Sequence, residues 1–159
     1  MKINNKDKNI VLIGFMGSGK TSVGKRLSLV LKREFIDTDD FIEKREGMTI
    51  NEIFKEKGEE EFRKIERELY KRFSTPKKKI IATGGGVIVY LKSSPEKIAQ
   101  NLKFDNTRPI LQVDDKEAKI RELLAQREPF YNKYAEITID VSNYDIDHTV
   151  DKIIELAKV

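Results

Sequence analysis

The sequence predicts a three-layer α/β protein, in which a doubly wound, five-stranded parallel sheet lies between two layers of helices. Three observations favour this fold. Short apolar runs such as Ile10–Ile13 lack alternating polar residues, which is typical of strands covered on both faces. Segments with helical spacing of apolar residues separate these runs. A glycine-rich loop follows the first run and leads into the first helical segment, as in phosphate-binding loops.

Five segments are predicted to be strands. Four of them are short and mainly apolar, and the fifth alternates apolar and polar residues. Unbroken apolar runs suit the inner strands of a parallel sheet, because helices cover both faces there. The predicted strands are residues 10–13, 34–37, 79–82, 88–91 and 137–141.

Helices are predicted between the strands and at the end of the chain. Thr49 and Glu52 form a capping-box pattern, which marks the first turn of a helix, and Gly58 interrupts the helical pattern that follows. Apolar residues recur at helical spacing in the first and last helical segments. The first predicted helix begins directly after the glycine-rich loop. The others cover 49–57, 59–73, a stretch from about 117, and 150–157.

The composition of the chain excludes several function classes. Its 159 residues suffice for one domain with a buried core and include no cysteine, which excludes disulfides, thiolate metal sites and a cysteine nucleophile. The first residues lack the apolar stretch of a signal peptide, and no segment approaches membrane-spanning length, so we expect a cytoplasmic protein without membrane contact. The net charge is only +4 and the charges alternate in sign, which argues against nucleic-acid binding.

Residues 14–21 read Gly-Phe-Met-Gly-Ser-Gly-Lys-Thr, the pattern of a phosphate-binding loop between a strand and a helix. Its three glycines allow the backbone to curl so that N–H groups point at an anion. Lys20 can reach the β- and γ-phosphates of a nucleotide, and the Thr21 hydroxyl can ligate Mg²⁺. A glycine-rich turn could fit the pattern by chance, but the flanking strand and helix favour nucleoside triphosphate binding. The predicted ATP-binding residues here are Gly14, Gly17, Ser18, Gly19, Lys20 and Thr21.

Two aspartates lie at and just beyond the end of the second predicted strand, at the sheet edge where ligands bind in such folds. Asp37 and Asp39 are two positions apart, so one carboxylate can serve a magnesium ion while the other orients an acceptor hydroxyl and takes its proton. The alternative is that aspartates here only cap a helix, which is the role we predict for Asp40. The strand-end position favours the functional role for Asp37 and Asp39.

Further candidate residues are glycines and an arginine whose patterns are weak individually. Gly84, Gly85 and Gly86 follow the third strand and can present backbone N–H groups to a ligand, or form a plain turn. Arg63 and Glu66 share one face of a helix, so the carboxylate can hold a guanidinium that binds a carboxylate or phosphate. The alternative for this pair is an ordinary surface ion pair.

Two more arginines lie next to or near prolines. Arg108 belongs to a polar segment, and an arginine on a mobile lid can neutralise the charge that develops on a transferred phosphoryl group. Arg127 precedes Pro129 by two residues. The alternative for both arginines is that they only mark the end of an element before a proline.

Together these motifs resemble the shikimate kinase family nearly end to end. The phosphate-binding loop is common to many ATPases, whereas the Asp37-Thr38-Asp39 run, the Phe62-Arg63-x-x-Glu66 pattern and the triple glycine, in this order, are more specific. The resemblance implies a kinase that transfers the γ-phosphoryl group of ATP to the 3-hydroxyl of shikimate, in aromatic amino-acid biosynthesis. It also implies ATP as co-substrate and Mg²⁺ as the metal.

The resemblance implies roles for the site residues within a single kinase domain, 1–159. Residues 38–70 would be the shikimate-binding helices and 103–115 the core of a mobile lid. The implied catalytic residues are Asp39 as base, Lys20, and Arg108 closing over the phosphates. The implied metal residues are Thr21 and Asp37. The implied substrate-binding residues are Asp39 at the hydroxyls, Arg63 (braced by Glu66) and Arg127 at the carboxylate, Gly84, Gly85 and Gly86 as backbone donors, and Phe54 and Phe62 beside the ring.

The chain departs from the family after the triple glycine. Family members usually carry a helix of about a dozen residues there, as a crossover between parallel strands requires. Here Gly86 runs directly into the next apolar segment. Either the strands are arranged differently from the family, or the chain lacks a stretch that relatives carry, and we favour the second explanation. The usual basic residue before the Arg108-Pro109 pair is also not clearly placed, and Lys103 is the candidate.

Two other functions are alternatives. A kinase for another small acceptor, such as gluconate or a nucleoside monophosphate, would share the phosphate loop, but we would not expect it to combine Asp39, Arg63, Gly85 and Arg127. An ATP-binding module without turnover is favoured only by the short connection after Gly86. In either case we expect a monomer that acts on small molecules.

Overall fold

The computed structural model describes residues 5–73, 78–82, 87–105 and 111–159. All five predicted strands are present, each within two residues of its predicted bounds: β1 Ile10–Ile13, β2 Phe35–Asp37, β3 Ile80–Ala82, β4 Val87–Lys92 and β5 Ile137–Asp140. The helices are α1 Lys20–Leu31, α2 Thr38–Glu46, α3 Ile50–Phe73, α4 Pro95–Asn101, α5 Lys116–Tyr134 and α6 Ile146–Ala157. Of these helices, α4 was not predicted.

The five strands form one sheet in the order β2-β3-β1-β4-β5, and every pair is parallel. β1 occupies the centre, where Ile10 pairs with Ile80 of β3 on one side and with Val87 of β4 on the other. The predicted doubly wound parallel sheet is therefore confirmed. Since all strands run the same way, their carboxyl ends meet at one edge, which is where such folds bind ligands.

Helices cover both faces of the sheet. Neighbouring strand residues alternate between faces, so Ile80 packs beneath α1 and α6 whereas Ile81 packs beneath α2 and α3. A third buried cluster joins the phosphate loop to α4 and α5. It consists of Phe15, Ile98, Leu102, Leu111, Ile120, Leu123 and Leu124. In the described part of the chain, no helix is both long and apolar enough to cross a membrane.

Helix α3 begins at the predicted capping box and breaks at the predicted glycine. The backbone N–H of Thr49 donates to Glu52 Oε2 at 2.7 Å, and the N–H of Glu52 donates to Thr49 Oγ1 at 3.2 Å. This reciprocal pair is the capping box. Gly58 leaves the helical conformation with φ 83° and ψ 166°, so α3 consists of two helical halves. A residue with a side chain rarely adopts that conformation, which explains the glycine.

Only four residues, 83–86, separate Ala82 of β3 from Val87 of β4. The two strands nevertheless lie in one parallel sheet on either side of β1. The bounds of these two strands therefore do not follow the expectation that a parallel crossover takes a dozen or more residues, and the connection itself lies outside the described residues.

Asn9 connects three segments of the chain beside the start of β1. Its side chain is buried, its amide Nδ2 donates to the carbonyl of Phe73 at 3.1 Å, and its Oδ1 accepts from the N–H of Lys79 at 3.0 Å. Its backbone carbonyl accepts from the N–H of Val87 at 2.9 Å. Asn9, the residue before β1, thus connects the end of α3 to the start of β3 and also holds the start of β4.

We expect Asn9→Ala to lower the free energy of unfolding by about 2 kcal/mol, because two buried backbone groups lose their partners. Urea unfolding measures this loss. Asn143→Ala is the matched control, since Asn143 is exposed, and we expect it to change stability by less than about 0.5 kcal/mol. Equal effects of the two substitutions would contradict the role of Asn9.

Candidate active site

The phosphate loop adopts the curled form that its glycines predict. Gly17 has φ 78°, and a Cβ there would lie 2.7 Å from Leu102 Cγ, so both backbone conformation and space require glycine. Asn101 at the end of α4 donates to the Gly17 carbonyl at 2.8 Å. The loop is therefore held against α4, an element that the sequence did not predict.

Lys20 and Ser18 have polar groups in the interior of this loop. Lys20 Nζ donates to the carbonyls of Gly14 at 2.6 Å and Phe15 at 3.2 Å. The Ser18 side chain is buried, and in the described structure its hydroxyl has no hydrogen-bond partner. A buried hydroxyl without a partner costs free energy unless a ligand or water satisfies it. An anion in the loop would bond to this hydroxyl and to the lysine, so these groups fit a phosphate.

Asp37 connects the end of β2 to the phosphate loop. Its Oδ2 accepts from the Thr21 hydroxyl at 2.9 Å, and its Oδ1 accepts from the N–H groups of Asp39 at 3.1 Å and Asp40 at 3.4 Å. Asp37 is therefore the cap of α2, and our assignment of that role to Asp40 is wrong. Asp40 lies in the first turn and pairs with Lys44 at 2.7 Å. β2 passes into α2 with no intervening loop, which moves the cap to the last strand residue.

The Thr21 and Asp37 oxygens also fit a small divalent cation. Mg²⁺ prefers oxygen ligands and usually takes one or two from the protein, with water and phosphate oxygens for the rest. A hydroxyl and a carboxylate oxygen at 2.9 Å from each other meet that requirement. Among the described residues, no cluster of three or more histidine, aspartate or glutamate side chains could hold a metal by itself. A bound nucleotide would therefore have to complete the site.

Arg63 is held on the second half of α3. Its guanidinium donates to Glu66 Oε2 at 2.7 Å, lies 3.7 Å from Glu59, and is 5.5 Å from the centroid of the Phe62 ring. The Glu66 side chain is only 15% exposed and the Glu59 side chain is 69% exposed, so Glu66 is the better-shielded partner. The predicted contact of Glu66 with Arg63 is present. The Phe54 and Phe62 rings pack against each other across the Gly58 break, with their centroids 4.7 Å apart.

Arg127 on α5 lies against the phosphate loop. Its guanidinium carbon is 5.4 Å from the centroid of the Phe15 ring. The Tyr131 ring packs on the buried Tyr90 ring of β4, with centroids 4.9 Å apart. The second predicted carboxylate-binding arginine thus reaches the first predicted ATP-binding element. Phe15 and Tyr90 were not predicted, because an apolar residue in a variable loop position and a strand tyrosine carry no signal for this contact.

The two tyrosines remain protonated near neutral pH. Burial raises the pKa of the Tyr90 hydroxyl to about 12, and the negative charges of Glu128 and Asp140 act in the same direction. Burial also raises the pKa of Tyr131, although the positive charge of Arg127 opposes that shift.

Several predicted site residues lie outside the described residues: Gly84, Gly85, Gly86 and Arg108. Asp39 is half-buried in the first turn of α2. Lys103, the candidate basic residue before the lid, is exposed and lies 5.5 Å from the Phe104 ring centroid. The described part of the site therefore consists of the phosphate loop, the start of α2, the second half of α3 and Arg127.

Comparison with known proteins identifies the family. The model of the family described as shikimate kinase matches residues 16–158 of the chain. The chain belongs to the shikimate kinase family. A shikimate kinase of Caldanaerobacter subterraneus subsp. tengcongensis is 46% identical over 162 aligned positions, which cover 92% of this chain and 94% of that relative.

Solved structures show the same family likeness. A shikimate kinase from Acinetobacter baumannii in complex with shikimate superposes with a TM-score of 0.89 at 36% identity, covering 96% of this chain and 93% of that one. A gluconokinase from Sinorhizobium meliloti has a TM-score of 0.61 at 16% identity, covering 98% and 96%, which shows the fold alone. The predicted kinase family, its α/β fold and ATP as co-substrate are confirmed.

The comparisons also bear on the short connection after the triple glycine. Because the sheet matches that of the family, the explanation that the strands are arranged differently is wrong. The 162 aligned positions exceed the 159 residues of this chain, so some positions of the shikimate kinase relative have no counterpart here. This agrees with the favoured explanation, in which the chain lacks a stretch that relatives carry.

We expect Glu66→Gln to raise the Michaelis constant for shikimate roughly fivefold, because a charge-assisted bond to Arg63 becomes a neutral one. Glu59→Gln is the matched control, since Glu59 lies near the same guanidinium but is exposed, and we expect little change there. Steady-state kinetics at saturating ATP measure the Michaelis constant of each variant for shikimate. If the two variants behaved alike, Glu66 would not be the residue that positions Arg63.

Proposed function

We propose that this chain transfers the γ-phosphoryl group of ATP to the 3-hydroxyl of shikimate, giving ADP and shikimate 3-phosphate. The observation that carries the proposal is the contact between the phosphate loop and Arg127, which joins an ATP-binding element to an anion-binding side chain. A kinase needs its two substrates side by side, because catalysis of phosphoryl transfer is mostly positioning and charge neutralisation.

The acceptor is an anion with neighbouring hydroxyl groups, and the residues proposed to bind it match that chemistry. Arg63 and Arg127 would bind the carboxylate, since a guanidinium pairs with a carboxylate through two parallel hydrogen bonds. Asp39, at the start of α2, would hold the hydroxyls and accept the proton of the 3-hydroxyl as it attacks. Phe54 and Phe62 would lie beside the ring.

The nucleotide phosphates would replace the internal contacts of the loop. Lys20 would exchange the Gly14 and Phe15 carbonyls for the β- and γ-phosphate oxygens, and the Ser18 hydroxyl would gain the partner it lacks. Thr21 and Asp37 would hold Mg²⁺, with Asp37 in contact directly or through water. When bound, the ion would neutralise phosphate charge and orient the transferred group.

The roles of four further residues rest on the family resemblance, because these residues lie outside the described part of the chain. Gly84, Gly85 and Gly86 would present backbone N–H groups to shikimate, and Arg108 would close over the phosphates. We also propose that 1–159 is a single kinase domain, in which 38–70 form the shikimate-binding helices and 103–115 the core of a lid. The enzyme would act as a monomer in the cytoplasm.

A second candidate function is ATP binding without transfer. The four-residue connection between Ala82 and Val87 favours it, because the family resemblance implies a crossover helix of about a dozen residues at this point. If this connection displaced the glycine loop, the acceptor would lose its backbone donors while the phosphate loop stayed intact. The two candidates differ in turnover and not in nucleotide binding.

ADP release from Mg·ATP separates these possibilities. The assay is run without acceptor and with shikimate, gluconate or a nucleoside monophosphate. We expect release only with shikimate. Release with another acceptor would overturn the substrate assignment, and nucleotide binding without release under any condition would establish the second candidate.

We expect Lys20→Ala to reduce shikimate-dependent turnover by at least about a hundredfold, because the charge on the transferred group loses a preorganised cation. Lys25→Ala is the matched control, since Lys25 is an exposed residue of the same helix, and it should leave turnover unchanged. Normal turnover in Lys20→Ala would contradict the role of the phosphate loop.

We expect Arg127→Ala to weaken shikimate binding by about tenfold or more while ATP binding stays nearly intact, because a charged hydrogen-bond donor to the carboxylate is removed. Calorimetric titration of each ligand measures both affinities. Arg67→Ala, at an exposed arginine of α3, serves as control. An equal fall in both affinities of Arg127→Ala would contradict the carboxylate role.

A further inference from the structure

Phe15 contacts both halves of the site through different atoms. Its backbone carbonyl accepts from the N–H of Ser18 at 3.1 Å and from Lys20 Nζ at 3.2 Å. Both donors belong to the phosphate loop. The position of Phe15 is therefore set by the turn of the loop and by the lysine proposed to bind phosphate.

The side chain of Phe15 supports Arg127. The ring is 1% exposed and packs among apolar residues of α4 and α5, so its orientation is fixed. The guanidinium carbon of Arg127 lies 5.4 Å from the ring centroid, within the range of a cation–π interaction. One face of the guanidinium thus lies against a buried ring of fixed orientation.

We propose that Phe15 is a positioning residue for the acceptor, and that its ring orients Arg127 for the substrate carboxylate. This inference rests on the proposed function. Phe15 does more than fill the core, because its ring contacts Arg127, the cation that is proposed to bind the substrate carboxylate. It also connects the substrates, since a nucleotide that draws Lys20 from the Phe15 carbonyl changes a contact of the residue beneath Arg127.

The first test removes the aromatic face and keeps an apolar side chain. We expect Phe15→Leu to raise the Michaelis constant for shikimate by about three- to thirtyfold, the range of a cation–π interaction, with that for ATP changed less than about twofold. Ile120→Val is the matched control, because Ile120 is buried in the same cluster and belongs to the same helix as Arg127. An equal rise in both variants would show that packing alone is responsible and would overturn the inference.

A second measurement separates action through Arg127 from a general loss of structure. In an Arg127→Ala background, Phe15→Leu should leave the constant for shikimate unchanged, because the guanidinium it positions is absent. A further rise of the same size as in the wild type would contradict the inference. Incorporation of trifluorophenylalanine at position 15 weakens the negative ring face with little change of shape, so it should also raise the constant.

Failure of this inference differs from failure of the proposed function. Wild-type turnover with shikimate is measured in the same series. Its absence would contradict the proposed function, whereas normal wild-type turnover with an unchanged constant in Phe15→Leu would contradict only the role of Phe15.

Discussion

The parallel register around β1 is the constraint on which the rest of the structure depends. Ile10 pairs with Ile80 and Val87, so the central strand fixes both neighbours at the same level. Every strand therefore ends at the same edge, and the segments that follow β1 and β2 meet there. The contact of Thr21 with Asp37 exists because of this arrangement. The buried Asn9 holds the opposite edge together, where α3, β3 and β4 approach β1.

The site is assembled from groups that also have structural roles. Asp37 caps α2, and the positive end of that helix stabilises the carboxylate that Thr21 contacts. Glu66 and Phe62 hold Arg63 on α3, while the Phe15 ring lies against Arg127 on α5. Each guanidinium thus lies over an aromatic ring, and that of Arg63 also pairs with a carboxylate. Side chains restrained in this way lose little entropy when they bind a ligand, which favours affinity.

The sequence allowed much of the fold to be predicted, because its signals were local. Unbroken apolar runs indicated the strands, and the Thr49 and Glu52 pair with Gly58 indicated the two halves of α3. α4 was missed because seven residues are too few to establish a helical period. The cap of α2 was misplaced because no loop separates it from β2. The expectation of a crossover of a dozen or more residues did not hold between β3 and β4, which only four residues separate.

In the candidate site, too, the features encoded by local sequence were predicted, and the contact set by tertiary packing was not. The phosphate loop and the Arg63–Glu66 pair follow from residues close together in the sequence. The contact of Phe15 with Arg127 joins the phosphate loop to α5 across most of the chain, so it depends on tertiary packing that no local pattern encodes. The family resemblance implies the role proposed for Arg127, and the structure shows the Phe15 ring that lies against it.

The central claim is that one chain binds both substrates at this sheet edge, despite the short β3–β4 connection. The most direct measurement is calorimetric titration of shikimate into protein saturated with Mg²⁺ and a non-hydrolysable ATP analogue. We predict that one shikimate binds per chain while the nucleotide stays bound. Displacement of the nucleotide by shikimate, or no binding of shikimate to either the free or the nucleotide-bound protein, would contradict the account.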